Sequence, residues 1–161
     1  MKLSTRARYA LRFMIDIAMH SNEDKPMQLK DISERQAISS RYLGQIVISL
    51  KHRDLIRGIA GKNGGYVLAK PAASIRVADI IEAAIGPINV VDCVADPASC
   101  NKNETCECRP IYALVNDRIL DALNSFTLEE LVKDRKEKRG DDSDDCRVCS
   151  RKDLCSSAFR G

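Results

Sequence analysis

Between Gln28 and Pro71 the hydrophobic period changes from helical to alternating, and no other stretch restricts the fold as much. "LKDISERQAIS" reads as a short helix with Leu29, Ile32 and Ala37 turned inward, followed by a tight turn. Next, "SSRYLGQIVISLKHRDLI" sets Leu43, Ile46, Val47 and Leu50 on one apolar stripe, with Ser39, Ser40, Arg41, Gln45 and Ser49 largely on the other side. Two short helices joined by about three residues, the second polar on its outer face, are the sequence form of a helix-turn-helix. "LIRGIAGKNGGYVLAKP" then places β-branched and apolar residues on either side of "GKNGG", hairpin-turn chemistry in which Gly and Asn tolerate positive φ. A hairpin directly after the second helix makes the expected fold class mainly α: a winged helix-turn-helix with a two-stranded wing.

The flanking segments are helical as well. Ser4 and Thr5 can cap a helix in which Ala7, Ala10, Leu11, Met14, Ile15, Ala18 and Met19 recur at helical spacing, and Pro26 forces a break after it. "VADIIEAAIG" is a short helix stopped by Gly86 and Pro87. A cysteine-rich loop follows. After it, "IYALVNDRILDALNSF" carries Ile111, Leu114, Val115, Ile119, Ala122 and Leu123 on a stripe, and "TLEELVKDRKEKR" opens with Thr127 and Glu130 spaced as a capping box. From Arg139 onward the sequence is charged and nearly free of apolar residues, a tail expected to be mobile unless a metal orders it. The 161 residues suffice for one core with an appended helix and tail, and the expected divisions fall at 1–86, 87–108, 109–138 and 139–161. No apolar run approaches the roughly eighteen residues a membrane span needs, and "MKLSTRARYALRF" lacks the apolar core of a signal peptide. The expected compartment is the cytoplasm, with no membrane partner.

The charge is unevenly divided. Residues 1–76 hold fourteen Lys and Arg against six Asp and Glu, and residues 77–161 hold twelve against seventeen. A basic half of this size points to a polyanionic partner, and a helix-turn-helix brings the start of its second helix to base edges in the major groove. Here that start is "SSRYLGQ". Arg41 is placed for a bidentate contact to guanine and Gln45 for adenine, while Ser39, Ser40 and Tyr42 can hold phosphates or bases. In the hairpin, Lys62 and Asn63 project from the Gly-rich turn with Arg57 at its base, contacts that position a protein on duplex DNA and make binding salt-dependent. The expected partner is a double-stranded operator. A merely solvated basic surface is the plainer alternative.

Seven cysteines in a reducing compartment argue against a disulfide framework and for metal binding or redox sensing. Four of them, Cys93, Cys100, Cys106 and Cys108, fall within "CVADPASCNKNETCECRP". Thiolates are soft anionic ligands suited to iron bridged by sulfide, and a loop with six and then five intervening residues can wrap one cluster. Cys146, Cys149 and Cys155 have respectable spacing for a second metal site but are one thiol short of a closed one, unless Cys108 or a partner chain completes it. Idle tail thiols are the alternative. His20 and His52 lie in or near helices of the basic half and are expected to be surface or core residues rather than ligands.

The segments "MKLSTRARYALR", "LKDISERQAISSRYLGQIV" and "GKNGGYVLAKP", then "DII.A..GP" and "VDC......C.....C", resemble the Rrf-type family of bacterial transcription regulators. That family includes the iron-sulfur cluster regulator, the nitric-oxide-sensitive repressor and the iron-responsive regulator of rhizobia. The likeness runs in order from residue 1 to about residue 133. It implies a homodimer whose long helix, about Arg109 to Ser125, forms much of the dimer interface. It also implies that Cys93, Cys100 and Cys106 ligate an iron-sulfur cluster, [2Fe-2S] in preference to [4Fe-4S].

Two positions depart from the family. Where members commonly carry an acidic residue after the Tyr-Leu of the recognition helix, this chain has Gly44, which removes a group able to accept from cytosine. Some members take a fourth cluster ligand from a His after the third cysteine or from a carboxylate on the partner's first helix. Here the corresponding residues are "CECRP" and the cation Arg8, which leaves Cys108 as the candidate fourth ligand, with an unused or resolving thiol as the alternative because a Cys-X-Cys pair is tight for one metal.

The expected function is therefore a dimeric DNA-binding regulator that senses iron-sulfur status, redox state or nitric oxide. A thiol switch or zinc staple on the same DNA-binding frame is one alternative. An iron-sulfur carrier or electron-transfer protein is another. No Ser-His-Asp arrangement and no phosphate-cradling loop are present, and "GKNGG" lacks the spacing of a nucleotide loop, so an enzyme is not expected.

Overall fold

The computed structural model describes residues 3–22, 25–102 and 105–140, the last six of them by backbone alone. Helix α1 (Thr5–His20) begins where the Ser4 hydroxyl accepts a hydrogen bond from the Ala7 amide at 3.1 Å. It runs through the middle of the domain, touching α2 (Leu29–Gln36), α3 (Ser40–His52), α4 (Val77–Ile85) and α7 (Leu128–Gly140). Being covered from several sides, it buries more than one stripe. Phe13 and Ile17, absent from the periodic set, are fully buried beside Ala7, Ala10 and Met14, whereas Leu11, Ile15, Ala18 and Met19 are half-buried.

The turn between α2 and α3 corrects one expectation. Ala37 does not face inward: it ends α2 in the left-handed region at φ 53° and is exposed, and Ile38 takes the core position. Left-handed backbone at a residue with a Cβ costs about 1 kcal/mol. Two hydrogen bonds offset it, from the Ile38 amide to the Ser33 carbonyl at 3.2 Å and from the Ser33 hydroxyl to the Ile38 carbonyl at 2.6 Å. Helix α3 then buries Leu43, Ile46, Val47 and Leu50, the stripe its periodicity predicts.

Strands β1 (Ile56–Ile59) and β2 (Gly65–Leu68) pair antiparallel, with Ile56 opposite Leu68 and Ile59 opposite Gly65. Within the turn positive φ occurs only at Gly61, at 117°, and not at Asn63. Gly64 and Gly65 serve a different need, close approach: a Cβ on Gly64 would overlap the Ile59 carbonyl oxygen, and one on Gly65 that of Met27. Met27 and Tyr66 exchange two backbone hydrogen bonds of 3.0 and 2.8 Å, which fasten the wing to the segment ahead of α2.

Helix α4 ends at Gly86, where φ is 87°. The loop beyond it holds a single helical turn, α5 (Asp92–Ala95), and a 3₁₀ turn at Pro97–Ser99. Helix α6 (Arg109–Asn124) follows, and the Thr127–Glu130 capping box closes as its spacing predicts, the Thr127 amide donating to Glu130 Oε2 at 2.8 Å and the Glu130 amide to Thr127 Oγ1 at 3.2 Å. Within this chain α6 buries only Asn116; Ile111, Leu114 and Val115 of its apolar stripe are exposed, while Ile119, Ala122 and Leu123 are half-buried. Among the described residues no helix is long and apolar enough to cross a membrane.

Candidate nucleic-acid interface and cysteine loop

The start of α3 is presented as a helix-turn-helix requires. Ser39 caps it, its hydroxyl accepting from the Tyr42 amide at 3.3 Å, and Ser39, Ser40, Arg41 and Gln45 are exposed. Tyr42 is half-buried, its ring meeting that of Tyr9 edge-on at 5.8 Å between centroids, so its freedom to reach DNA is limited by packing on α1. Arg6 braces the helix from α1, donating to the Ser49 hydroxyl at 2.7 Å and to the Gln45 carbonyl at 3.4 Å. Gly44 has nothing within 4 Å of the place a Cβ would occupy. Gly44→Ala is therefore expected to stabilise the fold by about 1 kcal/mol through helix propensity alone, read as a higher midpoint in thermal unfolding.

A buried carboxylate that sequence reasoning missed holds α1 and α2 together. Asp16 is 1 % exposed, and it accepts from Arg35 Nε at 3.1 Å and from Gln36 Nε2 at 2.6 Å. His20 Nδ1 lies 2.9 Å from the Asp16 carbonyl oxygen. Arg12 extends the network, donating to the Gln36 side chain at 3.1 Å and to its carbonyl at 2.7 Å. Burial by itself pushes the Asp16 carboxyl up, but the hydrogen bonds from Arg35 and Gln36 and the charges of Arg35 and His20 outweigh it, and the group titrates below its usual range. Its signal in the sequence is a lone acid inside the apolar run "FMIDIAM".

In the wing, Arg57, Lys62 and Asn63 are all exposed, Arg57 on β1 and the other two at the tip of the turn. Of the predicted residues, Ser39, Ser40, Arg41 and Gln45 of α3 and Arg57, Lys62 and Asn63 of the wing are thus exposed, and Tyr42 is half-buried.

The cysteine loop is less regular. Cys93 lies in α5, Cys100 directly after the Pro97–Ser99 turn, and Cys106 and Cys108 just before α6; the first three are half-buried, Cys108 is exposed, and all four are free thiols. Among the described residues no three His, Cys, Asp or Glu side chains come close enough together to share a metal ion. The donor set thus suits a cluster in kind, while the loop as described does not gather it. Asn116 ties the loop to α6, its Oδ1 accepting from the Val90 amide at 3.0 Å. Arg8 is exposed on α1 and donates to Thr5 at 3.3 Å. Cys146, Cys149 and Cys155 lie outside the described residues.

A helix-turn-helix with a paired wing, presenting an exposed basic helix start, defines a winged-helix DNA-binding transcription regulator. Within that class the chain belongs to the Rrf2 family, described as iron-dependent transcriptional regulators, whose family model matches residues 3–134. It is 38 % identical over 136 residues to the HTH-type transcriptional regulator IscR of Pectobacterium atrosepticum, covering 84 % of this chain and 82 % of the relative. Among solved structures it is similar to CymR, the global cysteine regulator of B. subtilis, with a TM-score of 0.67 and 34 % identity over 83 % of this chain and 97 % of that one. T. potens IscR is similar at a TM-score of 0.68 and 31 % identity, over 86 % of this chain and 90 % of that one.

Proposed function

We propose that this chain is a cytoplasmic, homodimeric regulator that binds a double-stranded operator through α3 and the wing, with affinity set by the state of the cysteine loop. The observation that carries this reading is the apolar N-terminal half of α6: Ile111, Leu114 and Val115 stand exposed directly after Cys108. A second copy would cover them, and a dimer is what a two-half-site operator requires, its recognition helices spaced about 34–36 Å apart. Cys93, Cys100 and Cys106, with Cys108 as fourth, would hold an iron-sulfur cluster. When bound, such a cluster supplies one-electron redox chemistry at iron. Because the loop adjoins α6, its conformation bears on how the two protomers meet. As the family is one of transcription regulators, the carrier reading loses its ground.

Anaerobic purification followed by an absorption spectrum with iron and sulfide content tests the cluster. A brown protein is expected, and Cys100→Ser is expected to be colourless; full iron occupancy in that variant would remove Cys100 from the ligand set. A second reading rests on the free thiols that the described loop does not gather: a thiol switch or zinc staple on the same DNA-binding frame. A colourless wild-type protein that resists reconstitution would select it.

Roles on DNA separate by mutation. Arg41→Ala is expected to cost about 1–3 kcal/mol on the selected operator and to relax preference at one base pair. Lys62→Ala is expected to weaken binding to all duplexes alike and to lower the salt slope by roughly one unit. Titrations of selected and scrambled duplexes at several salt concentrations distinguish the two, and equal effects of both variants would overturn the assignment.

A further inference from the structure

Arg41, Gly44, Gln45 and Ile48 follow one another on the outer face of α3 at the spacing i, i+3, i+4, i+7. A helix lying along the major groove can read bases from this set of positions. Ile48 is the odd member. It is apolar and 71 % exposed, above every other exposed large hydrophobic residue among those described, including Ile111 at 53 % and Leu114 at 51 %. Its β-branch gives it no advantage in a helix, and the core does not use it. One turn earlier, Gly44 leaves the helix surface bare, with nothing within 4 Å of where its Cβ would stand. Ile48 thus follows one turn after bare, unfilled backbone on the face that also carries Arg41 and Gln45.

A single exposed isoleucine is ordinary on a protein surface. This one is set apart by its place among the groove-facing positions and by its cationic surroundings in the chain, since Lys51, Arg53, Arg57 and Lys62 are all exposed on α3, the turn after it and the wing. Such a setting favours a polyanion over an apolar protein partner. In the major groove the apolar group that marks one base is the C5-methyl of thymine. We propose that Ile48, with the open space at Gly44 one turn before it, reads the 5-methyl group of a thymine, making it a specificity-determining residue of α3. The inference rests on the operator-binding reading above.

The test begins with selection of bound duplexes from a random library by the full chain. Each thymine of the selected duplex is then replaced singly by deoxyuridine, which removes only the methyl group, and affinity is measured at fixed salt. Wild type is expected to lose about fourfold at one thymine in each half-site, the effect of leaving one methyl group in water. Ile48→Ala, an exposed substitution whose fold is checked by circular dichroism and thermal unfolding, is expected to bind the thymine and uracil duplexes at that position equally. Sequence enrichment with no methyl-sensitive thymine overturns the inference alone. So does methyl sensitivity that persists in Ile48→Ala, or a change of oligomeric state in that variant, which would assign Ile48 to a contact between copies. No sequence enrichment at all overturns the operator reading and this inference with it.

Discussion

Asp16→Ala is expected to destabilise the folded chain by about 3 kcal/mol, because it strips a buried ion pair of one partner. Arg35 is 36 % exposed at its side chain and can regain water, which holds the cost to the lower end for such pairs, whereas Gln36 is buried and loses its acceptor. The measurement is denaturant unfolding at neutral pH, with Asp16→Asn as the conservative comparison. Acid gives a second signature. The folded carboxyl titrates below its ordinary value of 3.8, so its stabilising contribution is complete above that value and is lost as pH falls through the lower, folded pKa. Wild-type stability should therefore fall more steeply than that of Asp16→Asn as pH is lowered through 3.8. Parallel curves would show that the charge on Asp16 adds nothing beyond its shape.

Gly65→Ala is expected to displace the wing. Its Cβ would overlap the Met27 carbonyl, a backbone group that cannot swing aside as a side chain would. Relief requires opening the two hydrogen bonds between Met27 and Tyr66, at about 1–3 kcal/mol, the usual range for forcing extra atoms into a filled space. Lys62 and Asn63 ride on this hairpin, so duplex affinity should fall for every sequence while preference among sequences is retained. Thermal unfolding and titrations against two unrelated duplexes read the two parts separately. An unchanged melting point would mean that the hairpin moves freely against the segment ahead of α2. Gly44→Ala adds the same atoms in open space, with stabilisation expected instead.

The elements legible in the sequence are those in which one side of a helix or strand meets the core. The stripe of α3, the glycine-rich hairpin and the Thr127–Glu130 box all follow from spacing, and all form in the structure. Failures came where spacing carries no information. Ala37 adopts a left-handed turn that glycine would have announced, and α1 is covered from several sides, so no single stripe describes it. Asp16 depends on Arg35 and Gln36 arriving from another helix, which periodicity within α1 cannot show. Of the candidate site, the exposure of Ser39, Ser40, Arg41, Gln45, Arg57, Lys62 and Asn63 is legible because local elements carry them. Ile48 is not legible, because an apolar residue on a polar face carries no signal until its exposure is known. The cysteines were legible as donors but not as a set, because gathering them depends on the path of the loop rather than on the number of residues between them.

Asn116 has a mechanical consequence. Helix α6 is fastened near its middle, where Asn116 meets Val90, and over its half-buried C-terminal turns, while Ile111, Leu114 and Val115 of its first half stand exposed. Because the Cys106 and Cys108 carbonyls accept from the Arg109 and Tyr112 amides, a displacement of the loop at either cysteine is handed straight to the first turn of this helix and so to its exposed apolar residues.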